Sequence, residues 1–215
     1  MDASVRTRLS RDDRMEQTLE AAHALFAERG YAAVTMDEIA AAIGVTKPLL
    51  YNYFGNKERL YIACMERAGD ALIATIADAV SKTANPGDAL GVGVRAFFSF
   101  LDTDRAAWAV LFDETLPHGG EVFDRVVAYR GQILDLVSAS LLAQLPMRRR
   151  EAAEVEVEAL STALLGASEA LARWWLRTEA ISADNAAELL ISTVEPGLRD
   201  RSTPTSNPQG GPTPR

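Results

Sequence analysis

The residues best suited to chemistry crowd between positions 35 and 57: Thr35, Thr46, Lys47, Asn52, Tyr53 and Lys57. They contain no nucleophile paired with a base and no metal-ligand set. Two ammonium groups, two hydroxyls, an amide and a phenol are instead the donors that hold phosphate oxygens and read base edges. Lys47 suits a phosphate or a guanine edge, and Asn52 either a base edge or open solvent. Tyr51 and Tyr53 both have hydroxyls long enough to reach phosphate, with one of the pair expected to pack inward. Between them Pro48 and Leu49 offer only apolar contact, such as to a thymine methyl. Lys57 opens the next helix behind an Asn56 cap, where free amides also suit a backbone phosphate. The pattern points to double-stranded DNA.

Holding those donors in one surface requires particular elements. Thr35 and Glu38 form a T-x-x-E capping box, so a helix starts at Met36 with Ile39, Ala40 and Ile43 inward. Gly44 permits a sharp turn, and Val45 anchors it. Thr46 is expected to cap a second helix that tolerates Pro48 in its first turn and turns Leu50 back to the first. A small residue, Ala40, lets the two helices cross closely. This is the pattern of a helix-turn-helix whose second helix enters the major groove.

Other chemistry finds little support. His23 and His118 are far apart, and Cys64 is the only cysteine, which excludes an internal disulfide and a thiolate metal cluster. Glu154 and Glu158 share a helix face that reads as solvated. Asp113 and Glu114 read as surface charges, and His118 as either a polar latch or a solvated side chain. No enzyme, cofactor or metal is expected. The net charge is −8, but residues 1–60 carry only −1 of it. The field of an acidic body fades over a Debye length of about 10 Å, so it does not forbid a locally docked operator.

The segment resembles the DNA-binding domain of the TetR family of bacterial transcriptional regulators. The likeness runs over roughly residues 15–62: Ala21-Ala22, Leu25-Phe26, Gly30-Tyr31, Thr35, Ile39-Ala40, Gly44-Val45, Leu50-Tyr51-Asn52-Tyr53-Phe54 and Asn56-Lys57-Glu58. The resemblance implies phosphate contacts from Thr35, Tyr53 and Lys57, and groove contacts from Thr46, Lys47, Pro48 and Leu49. Leu49 and Pro48 depart from the small residues more usual there, which leaves the preferred bases open. It further implies a homodimer on a palindromic operator and repression lifted by a small molecule.

An all-α, TetR-like fold is predicted: a three-helix head with the helix-turn-helix, and a helical body for ligand binding and dimerisation. Residues 1–10 read as a flexible arm, 11–56 as the head with a helix stop at Gly30, and 57–195 as linker helix and body. Helices are expected near 57–82, 88–101, 104–115, 121–144, 150–178 and 183–194, with Ser182 capping the last. Asn85-Pro86-Gly87 is the expected hinge between head and body. Five of nine prolines fall after position 195, so 196–215 reads as a disordered tail. No signal peptide and no run of eighteen uncharged apolar residues stands out, so a cytoplasmic protein off the membrane is expected.

In the body, Leu160, Leu164, Ala167 and Leu171, with Leu189 and Leu190, form an apolar stripe. It reads as a dimer face, the alternative being packing against the chain's own body. Trp108, Phe112, Tyr129 and Trp175 are the expected walls of a pocket for a small apolar or aromatic effector. The competing functional reading is a helical DNA-binding regulator, activator or repressor, that is constitutive or answers to a protein partner.

Overall fold

The computed structural model describes residues 10–113, 115–116, 118–145 and 147–202, and all regular structure there is helical. The expected arm (apart from Ser10), Glu114 and the chain beyond 202 lie outside the described residues. Helix α1 (Arg11–Ala33) opens on a reciprocal cap between Ser10 and Asp13. Gly30, at φ 75° and ψ 162°, breaks it where the stop was expected, leaving a short last turn at 31–33. Helices α2 (Met36–Ala42) and α3 (Lys47–Phe54) follow. Phe26, Val34, Ile39, Leu50 and Phe54 bury their side chains among these three helices.

Helix α4 (Lys57–Ser81) is the spine of the molecule. Its buried Leu60, Tyr61, Cys64, Met65, Ala68, Leu72 and Ile76 recur at steps of three and four. The N-terminal part of that stripe belongs to the head and the rest to the body. Tyr61 is fully buried, packs edge-on against Phe26 and Tyr31 at 4.9 Å each, and donates its hydroxyl to the Val110 carbonyl at 2.6 Å. Head and body therefore share one continuous core.

A single 3-10 turn (Pro86–Asp88) leads to α5 (Ala89–Thr103), α6 (Arg105–Leu111), α7 (Glu121–Ala143), α8 (Met147–Thr178) and α9 (Ala183–Ser202). The turn at 85–87 joins α4 to α5 inside the body, so it is not the hinge that its sequence suggested. The head instead meets the body where α1 packs on α4 and α6. Helix α6 stops at Leu111, earlier than expected, because the Asp113 carboxylate folds back onto the Thr115 amide at 2.7 Å. Ser182 caps α9 as expected, accepting from the Asn185 amide at 3.2 Å. The helix then runs through Pro196 to Ser202, past the expected boundary. A proline inside a helix removes one amide donor and crowds the carbonyl four residues back, which strains or kinks the helix without always ending it.

Helix α8 sorts the expected dimer stripe into two faces. Val157, Leu164 and Trp175 are buried in the chain's own core, with Leu160 and Leu171 half-buried beside them. The outward face holds Val155, Ala159, Ala163, Ala167, Ala170 and Trp174. On α9, Leu190 points inward and Leu189 is exposed. Helix α7 is long and apolar enough by composition to cross a membrane, but here it packs against α4 and α8.

Candidate DNA interface and effector cavity

The helix-turn-helix is fixed by local hydrogen bonds. The Glu38 amide donates to Thr35 Oγ1 at 3.3 Å, and the Thr35 amide donates to Glu38 Oε2 at 2.8 Å. Arg29 adds an ion pair to Glu38 at 2.8 Å. The Thr35 hydroxyl bond first, and then Arg29, hold the Glu38 carboxyl down to about 2. Gly44, at φ 65°, makes the turn, and the Val45 amide closes it on the Ala40 carbonyl at 3.0 Å. Thr46 takes the cap position of α3, but its side chain makes no cap hydrogen bond, contrary to expectation. Pro48 in the first turn already removes one amide needing a partner, and the Thr46 hydroxyl stays exposed.

Of the expected DNA contacts, Thr35, Thr46, Lys47, Pro48 and Asn52 are exposed, and Leu49, Tyr53 and Lys57 are half-buried. Neither lysine stands free. Lys47 Nζ lies 2.7 Å from Asp37 Oδ1, which raises its pKa, and 5.9 Å from the Tyr51 ring. Lys57 Nζ sits 4.4 Å over the Tyr31 ring and donates to the Ala32 carbonyl at 3.4 Å. Burial there lowers its pKa. Tyr53 packs partly on the core beneath Arg11, whereas Tyr51 is the exposed tyrosine of the pair. Its place one helical turn after Lys47 was the signal for that. Asn56 caps α4 as expected, accepting from the Arg59 amide at 2.8 Å.

In the body, an apolar cavity of about 60 Å³ lies between α4, α5, α7 and α8. Ile76, Val80, Val94, Phe97, Ile133 and Leu164 are among its walls. Its two serines, Ser140 and Ser168, spend their hydroxyls on carbonyls of their own helices at 2.9 and 2.8 Å. Trp108, Phe112, Tyr129 and Trp175 do not line it. Trp175 is 2% exposed and donates its indole N–H to the Ile181 carbonyl at 2.9 Å. Trp108 stacks on Phe112 with centroids 4.1 Å apart. Phe112 and Tyr129 do share a narrow space of about 10 Å³, which touches Ile133 of the larger cavity.

A family model described as bacterial regulatory proteins, tetR family, matches residues 19–64. A second, the Tetracyclin repressor-like C-terminal domain, matches residues 86–195. The chain belongs to the TetR family. Among its TetR-family relatives, the HTH-type transcriptional activator FasR of Mycolicibacterium smegmatis is 32% identical over 192 residues, 89% of this chain and 85% of FasR. The HTH-type transcriptional repressor KstR2 of Mycobacterium tuberculosis is 34% identical over 103 residues, 48% of this chain and 52% of KstR2. A TetR-like regulator from Rhodococcus sp. RHA1 superposes with a TM-score of 0.74 at 31% identity, covering 89% of this chain and 99% of that one.

Two features of this TetR-family member were not read from the sequence. Asp37, ten residues before Lys47, is the acid that holds it. Asp113, read as a surface charge, is half-buried and accepts from the Tyr31 amide at 2.6 Å. The walls of the larger cavity are mostly aliphatic and carry no mark in the sequence that distinguishes them from ordinary core.

Proposed function

We propose that the protein is a homodimeric transcriptional regulator that represses from a palindromic operator and is released by a small, largely apolar ligand. The division into a head at 11–56 and a body at 57–195, and a cytoplasmic site of action, belong to the same reading. The observation that carries it is the apolar cavity, because α4 lines it through Ile76 and Val80 and also begins at the helix-turn-helix. At about 60 Å³ it is smaller than the roughly 150 Å³ cavity known to accept benzene. An aliphatic effector therefore has to spread α5 from α7 and α8. Because α4 forms the cavity's remaining wall, such a movement carries to the head.

In this reading α3 enters the major groove with Thr46, Lys47, Pro48, Leu49 and Asn52, while Thr35, Tyr53 and Lys57 hold phosphates. One head reads few base pairs, so pairing supplies the rest of the specificity. The outward small residues of α8, Ala159, Ala163, Ala167 and Ala170, with Leu189 of α9, suit a close four-helix dimer contact. Relatives named as an activator and as a repressor both occur, so the sign of control follows operator position as well as the protein.

The test is selection of bound duplexes from a random pool, followed by release assays with a panel of apolar compounds and a promoter reporter. A two-fold consensus whose complex dissociates with one compound class is expected. Purified dimer with no sequence preference for any duplex sinks the reading.

A further inference from the structure

Beside the apolar cavity lies a second space of different chemistry, a cleft of about 190 Å³ between α6, α7 and α8. Phe112, Asp113, Arg130, Glu169 and Arg173 contribute to its walls. Glu169 is only 7% exposed. Its Oε2 accepts from Arg130 Nη2 at 2.6 Å, while its buried Oε1 has no hydrogen-bond partner. A buried polar atom left unpaired is costly, more so when charged, and one on a residue lining a cleft calls for a functional explanation.

The cleft also neighbours the narrow space beside Tyr129, and through it the apolar cavity. Phe112 and Arg130 line both the cleft and the narrow space beside Tyr129, and Ile133 lines both that space and the apolar cavity. A molecule with its polar end at Glu169 reaches the apolar cavity with its chain only where the Phe112 and Ile133 side chains move aside.

We propose that this cleft anchors the polar end of the effector, and that this end is an uncharged hydrogen-bond donor, an amide or a hydroxyl, on an aliphatic body. The proposal rests on the effector-cavity reading above. The cleft is lined by two carboxylates, Asp113 and Glu169, and two guanidiniums, Arg130 and Arg173, so an anionic and a cationic end each meet like charge as well as opposite charge. A neutral donor satisfies Oε1 and leaves the Arg130–Glu169 pair intact. Asp113 lines the same cleft and holds the Tyr31 amide, so the anchored end sits beside an atom that ties the body to the head.

Two probes with one chain and different ends test this: octanamide and octanoate, titrated calorimetrically into the full-length protein. Octanamide is expected to bind about tenfold tighter or better, the size of one charge-assisted hydrogen bond. Glu169→Ala frees Arg130 and is expected to reverse the order. Glu169→Gln keeps shape and an acceptor oxygen, so it retains octanamide and gains octanoate, which covers the case that the alanine variant fails to fold. Equal or tighter octanoate binding to the unmodified protein, no saturable binding of either probe, or an unchanged preference in a folded Glu169 variant overturns the proposal. Val94→Trp fills the apolar cavity and separates the two readings. Loss of both probes supports that cavity as the chain site. Retention of both, with a preference that still follows Glu169, removes the cavity reading and leaves the anchor.

Discussion

The Tyr31 amide, just past the Gly30 kink in the head, donates to the Asp113 carboxylate of the body across 2.6 Å. The other oxygen of Asp113 accepts from the Thr115 amide and hydroxyl, so the carboxylate is held from both sides. Gly30 keeps the seam close, since a Cβ there would lie 3.1 Å from Thr115 Oγ1. Asp113→Ala is expected to cost about 1.5–3 kcal/mol, the range for hydrogen bonds to charged groups. That corresponds to a melting temperature lower by roughly 3–12 °C for a chain of this size. It should also shrink the ratio of operator affinities with and without effector. A variant with unchanged melting and an unchanged ratio removes Asp113 from the coupling.

Lys47 and Asp37 make a second prediction, about selectivity. The ion pair at 2.7 Å spends the charge of the only lysine on α3 inside the protein. Exposed pairs are weak and give way to a better partner, so a correctly docked phosphate or guanine can take the lysine. Random duplex offers less and leaves it paired. Asp37→Asn should therefore raise affinity for random-sequence duplex severalfold and steepen its salt dependence by about one unit of log–log slope. Lys47→Ala should weaken the selected operator. Fluorescence anisotropy across a salt series checks both, and an unchanged slope in Asp37→Asn refutes the masking.

Two helical glycines predict opposite signs for the same substitution. A Cβ on Gly69 would sit 2.6 Å from the Tyr129 ring, whose hydroxyl is pinned to Asp70 at 2.7 Å and to the Glu66 carbonyl at 3.2 Å. The ring cannot retreat cheaply, so overpacking of about 1–3 kcal/mol outweighs the helix gain of roughly 0.5–1 kcal/mol. On Gly93 the nearest atoms are 3.5 and 3.7 Å away, ordinary contact with Val80 and Ile76. Gly69→Ala should destabilise, and Gly93→Ala should stabilise by up to about 1 kcal/mol. Urea denaturation of both variants decides it, and a Gly69→Ala protein as stable as Gly93→Ala contradicts the geometry.

What the sequence disclosed follows the range of the interactions involved. The Thr35–Glu38 box, the Gly44 turn and the Asn56 cap each close within three residues or one turn, and residue type alone locates them. The Asp113–Tyr31 bond spans 82 residues and the Arg130–Glu169 pair 39, and no local pattern announces either. The α8 stripe was legible as periodicity, but period alone does not say which side faces its own chain. Leu164 and Trp175 went inward because α7 and α9 cover that side, with Phe98 of α5 set edge-on to Trp175, leaving alanines outward. Trp175 reads as a pocket wall by residue type alone, but its indole N–H finds its partner in the Ile181 carbonyl six residues away, which makes it core.

Acidity should act on the head through Glu38. Its carboxyl titrates near 2 in the folded protein, against an ordinary 4.5, because Thr35 and Arg29 favour the charged form. A depressed folded pKa stabilises fully above the unfolded value and is lost as pH falls towards the folded one. The window is therefore about 4.5 down to about 2. Glu38→Gln keeps the capping geometry and removes the charge, so subtracting the two melting curves cancels the other titrating groups. The melting-temperature advantage of the unmodified protein should be full at neutral pH, shrink below 4.5 and approach zero near 2. Added salt should reduce it at every pH, since the group is exposed and screened. A difference that stays constant through the window means that the Arg29 pairing does not stabilise the head.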